Sequence, residues 1–202
     1  MFLINEALPK IRHTTQSRNF VFLDRDGVIN VDSGYVGHWR DFKFIEGAVE
    51  ALSTICANNF EIVVVTNQSG IGRGLYSEED FLNLSTELLK FLNQREIYIQ
   101  SIQYCPHYIF SKQAQYAQDC DCRKPKPGMI HNAASIHGID LSRASMVGDK
   151  LTDVIAARAA KVGKSFLITP SSTSDDALGF RADGCFPNLL ACTPALLRNG
   201  QL

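Results

Sequence analysis

The sequence predicts an α/β protein in which a parallel sheet carries helices on both faces. Three observations point there. Short apolar runs alternate with longer segments of helical spacing from residue 20 onward, and repeated strand–helix units of this kind build parallel sheets. The run Ile62-Val63-Val64-Val65 is β-branched and uninterrupted, as a central strand buried on both sides requires. Polar residues follow directly after several apolar runs, and in open parallel sheets ligands sit beyond the carboxyl ends of the strands.

Residues 1–19 are polar and weakly patterned and read as an N-terminal extension, partly disordered. Phe20-Val21-Phe22-Leu23 reads as a buried strand ending at Asp24. Ala48 to Ala57 has helical spacing, with Val49, Leu52, Ile55 and Cys56 on one face. After the 62–65 strand, Ser77-Glu78-Glu79-Asp80 starts a helix, because a Ser cap and early acidic residues satisfy its free N–H groups. Its apolar face is Phe81, Leu84, Leu88, Leu89 and Leu92. A strand is expected over Ser101 to Cys105, and a helix from Pro127 to about Gly138, where the glycine ends it. Strand 144–147, helix 149–161 and strand 165–168 follow, then weaker elements near Cys185 and over 188–198. The expected organisation is an extension (1–19) and one domain (20–202).

The 202 residues suit one domain with its own core. A net charge of −1 gives no global positive field to attract nucleic acid or an anionic membrane. No stretch reaches the ~20 apolar residues of a membrane span, and the N-terminal apolar run is too short for an export signal. A cytoplasmic monomer is the expectation.

Four segments carry chemistry. Asp24-Arg25-Asp26-Gly27 places two carboxylates at a strand end, with a glycine that lets the backbone turn. Alone it reads equally well as an acidic turn, and it lacks the later ligands of an EF-hand. Thr66-Asn67-Gln68-Ser69-Gly70 follows the central strand with a hydroxyl and exposed backbone N–H groups, as phosphate binding needs, although no Walker lysine follows. Arg123-Lys124 sits between Cys122 and prolines before a helix start; it is either a solvated basic loop or a pair of cations held for phosphate. Asp149 ends another strand, with Asp153 one helical turn on, and could simply cap a helix.

In this order the four segments resemble the haloacid dehalogenase superfamily of phosphatases, from residue 20 to about 170. The resemblance implies a Rossmann-like fold and a Mg²⁺ ion held by Asp24, the backbone carbonyl of Asp26, and Asp149. It further implies that Asp24 is the nucleophile, Asp26 the general acid and base, and Thr66 and Lys124 the stabilisers of phosphoryl charge. Asp153 is expected to orient Lys124 or a metal-bound water. Dehalogenases of the superfamily lack the second acidic residue, present here as Asp26, so phosphate chemistry is favoured.

Cys105-Pro106-His107 and Cys120-Asp121-Cys122 bracket a polar loop and offer three thiolates and one imidazole, the donor set of a structural Zn²⁺ site. Scattered cysteines are the plain alternative, and Cys56, Cys185 and Cys192 have no such companions. A closed four-ligand site would organise the 105–122 loop, and Cys122 would hold Arg123 and Lys124 in place.

With this loop and the segment Asp32-Ser33-Gly34-Tyr35-Val36, the chain resembles the D-glycero-D-manno-heptose 1,7-bisphosphate 7-phosphatase family. The histidinol-phosphate phosphatases are its relatives and share the zinc loop. The resemblance implies a minimal cap and a small sugar-bisphosphate substrate contacted by Asp32, Ser33, Gly34, Tyr35, Thr66, Asn67, Gln68, Ser69, Arg123, Lys124 and Lys150. Arg123 suits a second phosphate. A catalytically silent binding module built round the zinc loop is the alternative from another class, and a nucleic-acid 3′-phosphatase would need a basic, aromatic groove. Trp39 and Arg40 either shape the pocket or pack, with packing preferred.

Overall fold

The computed structural model describes residues 2–4, 18–169 and 182–198. Seven strands form one sheet in the order β1-β4-β3-β2-β5-β6-β7. These are β1 (Phe2–Ile4), β2 (Asn19–Leu23), β3 (Phe60–Asn67), β4 (Ile99–Cys105), β5 (Ser145–Gly148), β6 (Lys164–Ile168) and β7 (Gly184–Phe186). All neighbours from β4 to β7 pair in parallel, as the alternating pattern predicts, and β1 alone runs antiparallel, against β4. The sequence reading assigned no strand to residues 2–4. The rest of the 1–19 extension lies outside the described residues, apart from Arg18 and Asn19.

The helices are α1 (Ala48–Ala57), α2 (Ser69–Gly72), α3 (Glu78–Asn93), α4 (Gly128–His137), α5 (Leu151–Ala159) and α6 (Leu189–Arg198). Alternation in β2 and β3 sends successive side chains to opposite faces, and the core divides accordingly. Val21, Leu23, Ile62 and Val64 pack with α1, α3 and α6, whereas Phe20, Phe22, Val63 and Val65 pack with α4 and α5. The expected face of α1 shifts slightly: Ala48, Ala51, Leu52 and Ile55 are buried, while Val49 and Cys56 are only partly covered. Ser77 caps α3 in a reciprocal pair with Asp80, and Gly138 ends α4 in the left-handed region at φ 65°.

Two connections stay open in structure. Residues 24–47 contain one 3₁₀ turn, Trp39–Asp41, and isolated bridges from Asn30 to Asp26 and to Phe44, and the 105–127 connection contains one more 3₁₀ turn, Ala114–Tyr116. Trp39 stacks on Phe42, meets Phe44 edge-on and lies tilted against Phe91, so it packs. No helix among the described residues is long and apolar enough to cross a membrane.

Candidate active site

The sheet brings the chemistry to one edge. Leu23 is in register with Val64 on one side and Val147 on the other. Asp24 after β2, Thr66 near the end of β3 and Asp149 after β5 therefore emerge side by side. The Asp24 N–H donates to the Val147 carbonyl at 2.9 Å, continuing the ladder to Asp24 itself.

Lys124 reaches into this edge and is almost fully buried. Its Nζ lies 2.9 Å from Asp24 Oδ2 and 2.6 Å from Asp153 Oδ1, and donates to the Val65 carbonyl at 2.8 Å. Burial disfavours the ammonium, but the Asp153 and Asp24 carboxylates outweigh it and hold the lysine above its ordinary pKa. Lys124 is thus a fixed positive charge. Its backbone is set by Asn67, which accepts from the Lys124 N–H at 3.1 Å and donates to its carbonyl at 3.0 Å.

Asp24, Asp149 and Asp153 present carboxylate oxygens within 4.8 Å of one another. Burial pushes Asp24 up to about 7 and raises Asp149 as well. Asp149 Oδ1 is buried without a hydrogen-bond partner among the described residues. A buried carboxylate oxygen is costly unless something satisfies it. Asp24 and Asp149 therefore fit a hard divalent cation such as Mg²⁺, which takes oxygen ligands. Asp153 is already committed, through Oδ1 to Lys124 and through Oδ2 to the Lys150 N–H at 3.0 Å. Two glycines make room: a Cβ on Gly27, at φ 82°, would overlap the Asp149 carboxylate, and one on Gly148 would overlap Asp153.

Asp26 sits in a different pocket. Arg25 Nη2 contacts both its oxygens at 2.9 Å, and Asn30 and Gln68 each donate at 2.9 Å. Burial alone would raise its pKa, yet the Arg25 charge and these bonds hold it below the ordinary carboxylate range. The sequence reading missed Arg25, because an arginine between two aspartates reads as surface. It is in fact fully buried, also donates to the Val36 carbonyl at 2.6 Å, and lies 5.5 Å from the Phe81 ring centroid. Gln68 links Asp26 to Thr66 Oγ1 at 2.8 Å and accepts from Tyr76 Oη at 2.6 Å. Asn67 and Gln68, expected to touch substrate, thus have structural partners of their own.

The other expected substrate residues line the opening. Asp32, Ser33, Gly34 and Tyr35 are exposed, Ser69 is partly covered, and Lys150 Nζ bridges Asp32 at 3.1 Å and Asp149 at 3.4 Å. Tyr35 is held at φ 57°, a strained region for a side chain of its size. Arg123 is half-buried and donates weakly to the His107 carbonyl at 3.4 Å.

Beside this edge Cys105, His107, Cys120 and Cys122 converge. Their separations are 3.6 Å (Cys105–His107 Nδ1), 3.5 Å (Cys105–Cys120), 3.3 Å (His107 Nδ1–Cys122) and 3.3 Å (Cys120–Cys122). A tetrahedron with bonds of about 2.0–2.3 Å has edges of roughly 3.3–3.8 Å, so the donors fit one zinc-sized ion. A hydrogen bond from Cys105 leads the causes that pull the Cys122 thiol down to about 5 despite burial. None of the six cysteines forms a disulfide with another described residue.

Comparisons with known proteins match the chain to one family. A HAD-hydrolase-like family model matches residues 121–192. The chain is 46% identical over 154 residues to a D-glycero-beta-D-manno-heptose-1,7-bisphosphate 7-phosphatase of Photorhabdus laumondii, covering 76% of this chain and 82% of the relative. It is 48% identical over 148 residues to the protein of that name in Vibrio cholerae, covering 73% and 80%. The D,D-heptose 1.7-bisphosphate phosphatase of B. bronchiseptica, solved with magnesium and phosphate, superposes with a TM-score of 0.75 at 28% identity, over 89% of this chain and 98% of that one.

Proposed function

Since the chain belongs to the D-glycero-D-manno-heptose 1,7-bisphosphate 7-phosphatase family of haloacid dehalogenase-like enzymes, we propose that these residues divide the work of removing its C7 phosphate. The observation that carries the assignment is the buried Lys124 gripping Asp24 and Asp153, beside the unpartnered oxygen of Asp149.

Asp24 attacks phosphorus through a carboxylate oxygen, and the bond from phosphorus to the C7 oxygen breaks. Asp26 gives that oxygen its proton. Asp26 then takes a proton from water, whose oxygen attacks the aspartyl-phosphate, and inorganic phosphate leaves with Asp24 restored. The donors around Asp26 favour its carboxylate, which suits the second half. A phosphate dianion placed beside it raises its proton affinity, which serves the first. Lys124 and the Thr66 hydroxyl face the charge that spreads over the transferring oxygens. Asp24, the Asp26 carbonyl and Asp149 would hold a Mg²⁺ ion, which would supply further neutralisation of phosphate charge.

The relatives are named for the β anomer, and the same substrate in ADP- or GDP-heptose synthesis is the reading favoured for this chain. It predicts that the β-heptose 1,7-bisphosphate is hydrolysed with a kcat/KM at least about 100-fold above that for histidinol phosphate, a preference worth roughly 2.7 kcal/mol. Steady-state phosphate release on the α and β bisphosphates and on histidinol phosphate decides it. A win for histidinol phosphate would transfer the chain to that activity with the same catalytic residues.

The thiol–imidazole cluster is proposed as a structural Zn²⁺ site, and thiols kept for a metal suit a reducing compartment such as the cytoplasm. Cys105 ends β4 in register with Asn67, the residue that grips the Lys124 backbone. Zinc would therefore brace the loop that carries Arg123 and Lys124. The purified protein should carry about one zinc per chain, and Cys122→Ser should lose it along with thermal stability. Full zinc content in that variant, measured by elemental analysis, would contradict the ligand set.

A further inference from the structure

Gln68 directly precedes α2 and is buried. Its amide offers two donors and two acceptor lone pairs, and all four are in use. Nε2 donates to Asp26 Oδ2 at 2.9 Å and to Thr66 Oγ1 at 2.8 Å. Oε1 accepts from Tyr76 Oη at 2.6 Å and, at a longer 3.4 Å, from Arg25 Nη2. The side chain has nothing left over for a substrate group, yet it touches two residues that act on one.

Two of the four partners decide which way the amide faces. A guanidinium only donates and a carboxylate only accepts, so Arg25 meets the oxygen and Asp26 the nitrogen. The neutral partners follow from that. Tyr76 gives its proton to Oε1, with its ring lodged where a Cβ on Gly37 or Gly70 would overlap it. Thr66 accepts from Nε2, which leaves its own hydroxyl proton for another acceptor. No described residue takes that proton, and Thr66 stands beside Asp24 at the sheet edge, where a phosphoryl oxygen can. Asp26 is pinned from both ends, by Asn30 on Oδ1 and by Gln68 on Oδ2.

We propose that Gln68 is a positioning residue for the reaction: its amide fixes where Asp26 stands and which way the Thr66 hydroxyl points, so that both address one phosphate. This rests on the roles given above to Asp26 and Thr66. The buried Arg25 and Tyr76 act one layer further out, since they hold the amide in the only orientation that serves both residues. Without the amide, the Asp26 carboxylate is free to turn away from the leaving oxygen.

The test compares wild type, Gln68→Met, Gln68→Glu and Asp26→Asn on heptose 1,7-bisphosphate and on dinitrophenyl phosphate. The sugar oxygen needs a proton to leave, whereas dinitrophenolate leaves as an anion and does not. Gln68→Met keeps the length of the side chain without its donors. It should lose on the order of 10²-fold in kcat/KM on the bisphosphate, the lower end of what a placed general acid contributes. On the aryl ester it should lose less than about tenfold, and KM for the bisphosphate should not rise. Gln68→Glu keeps the acceptor end and gives up at least one of the two donors, so it should fall between Gln68→Met and wild type. The ratio of the two substrates is read on one sample, so any unfolded fraction cancels. Equal losses on both substrates, or none, would overturn the proposal, and so would a raised KM with unchanged kcat, the mark of a substrate contact. If Asp26→Asn itself does not spare the aryl ester, the acid reading of Asp26 fails and takes the proposal with it. If Asp26→Asn spares it and Gln68→Met does not, the Gln68 proposal alone is defeated.

Discussion

Replacing Asp24 with asparagine should lower turnover on the order of 10⁴-fold or more, because an amide cannot form the acyl phosphate. It should also flatten the pH dependence of stability. Burial pushes the Asp24 carboxyl from its ordinary 3.8 up to about 7. Between those values the folded chain binds a proton that the unfolded chain has released, so the metal-free protein loses stability as pH rises through that window. An asparagine has no such proton to lose. The variant forfeits one hydrogen bond, since its single amide oxygen cannot serve both the Arg25 N–H and Lys124, but that loss does not vary with pH. Thermal melts of metal-free wild type and Asp24→Asn at pH 5 and pH 8 give the comparison. A pH slope as steep in the variant would remove Asp24 as its source, and full activity in the variant would end the covalent mechanism.

Lys124→Met should damage both folding and chemistry. It leaves Asp24 and Asp153 buried on either side of an apolar chain, and removing one partner of a buried charge cluster costs about 3–5 kcal/mol. Turnover should drop roughly 10³-fold as the charge that meets the phosphoryl oxygens disappears. Urea unfolding reads the first loss and single-turnover kinetics the second. Adding Asp153→Asn should recover part of the stability and none of the activity, since it relieves repulsion without restoring a cation. If the double variant is no more stable than Lys124→Met, the charge cluster is not what holds this edge together.

Most of the architecture is legible in the sequence because the signals are local. The β-branched run 62–65 and the continuous apolar run of β2, buried on both faces, follow from side-chain pattern alone, and Ser77 and Gly138 mark helix ends by their own chemistry. What stayed hidden depends on contacts distant in sequence. β1 is three residues long and exists by pairing with β4, which nothing in Phe2-Leu3-Ile4 announces. The candidate site divides the same way. Asp24, Asp149 and Lys124 stand at strand or helix boundaries in a recognisable order, and the structure brings them together. Arg25 was missed because its burial depends on Val36 and Phe81.

The strand order carries a consequence for how the enzyme comes into being. β2, at the centre of the sheet, carries Asp24, yet one of its two neighbours is β5, made of residues 145–148. During synthesis the amino-terminal strands leave the ribosome with that flank of β2 open, and the carboxylates of Asp24 and Asp149 are still apart. Pairing between such distant segments is slow, because the chain must close a long loop before the contact repays it. A chain interrupted between Lys124 and β5 holds Asp24, Lys124 and the Cys105–Cys122 cluster but neither Asp149 nor Asp153. Activity therefore begins in one step, late in the life of the nascent chain, and partial products have no means of hydrolysing phosphate esters by this route.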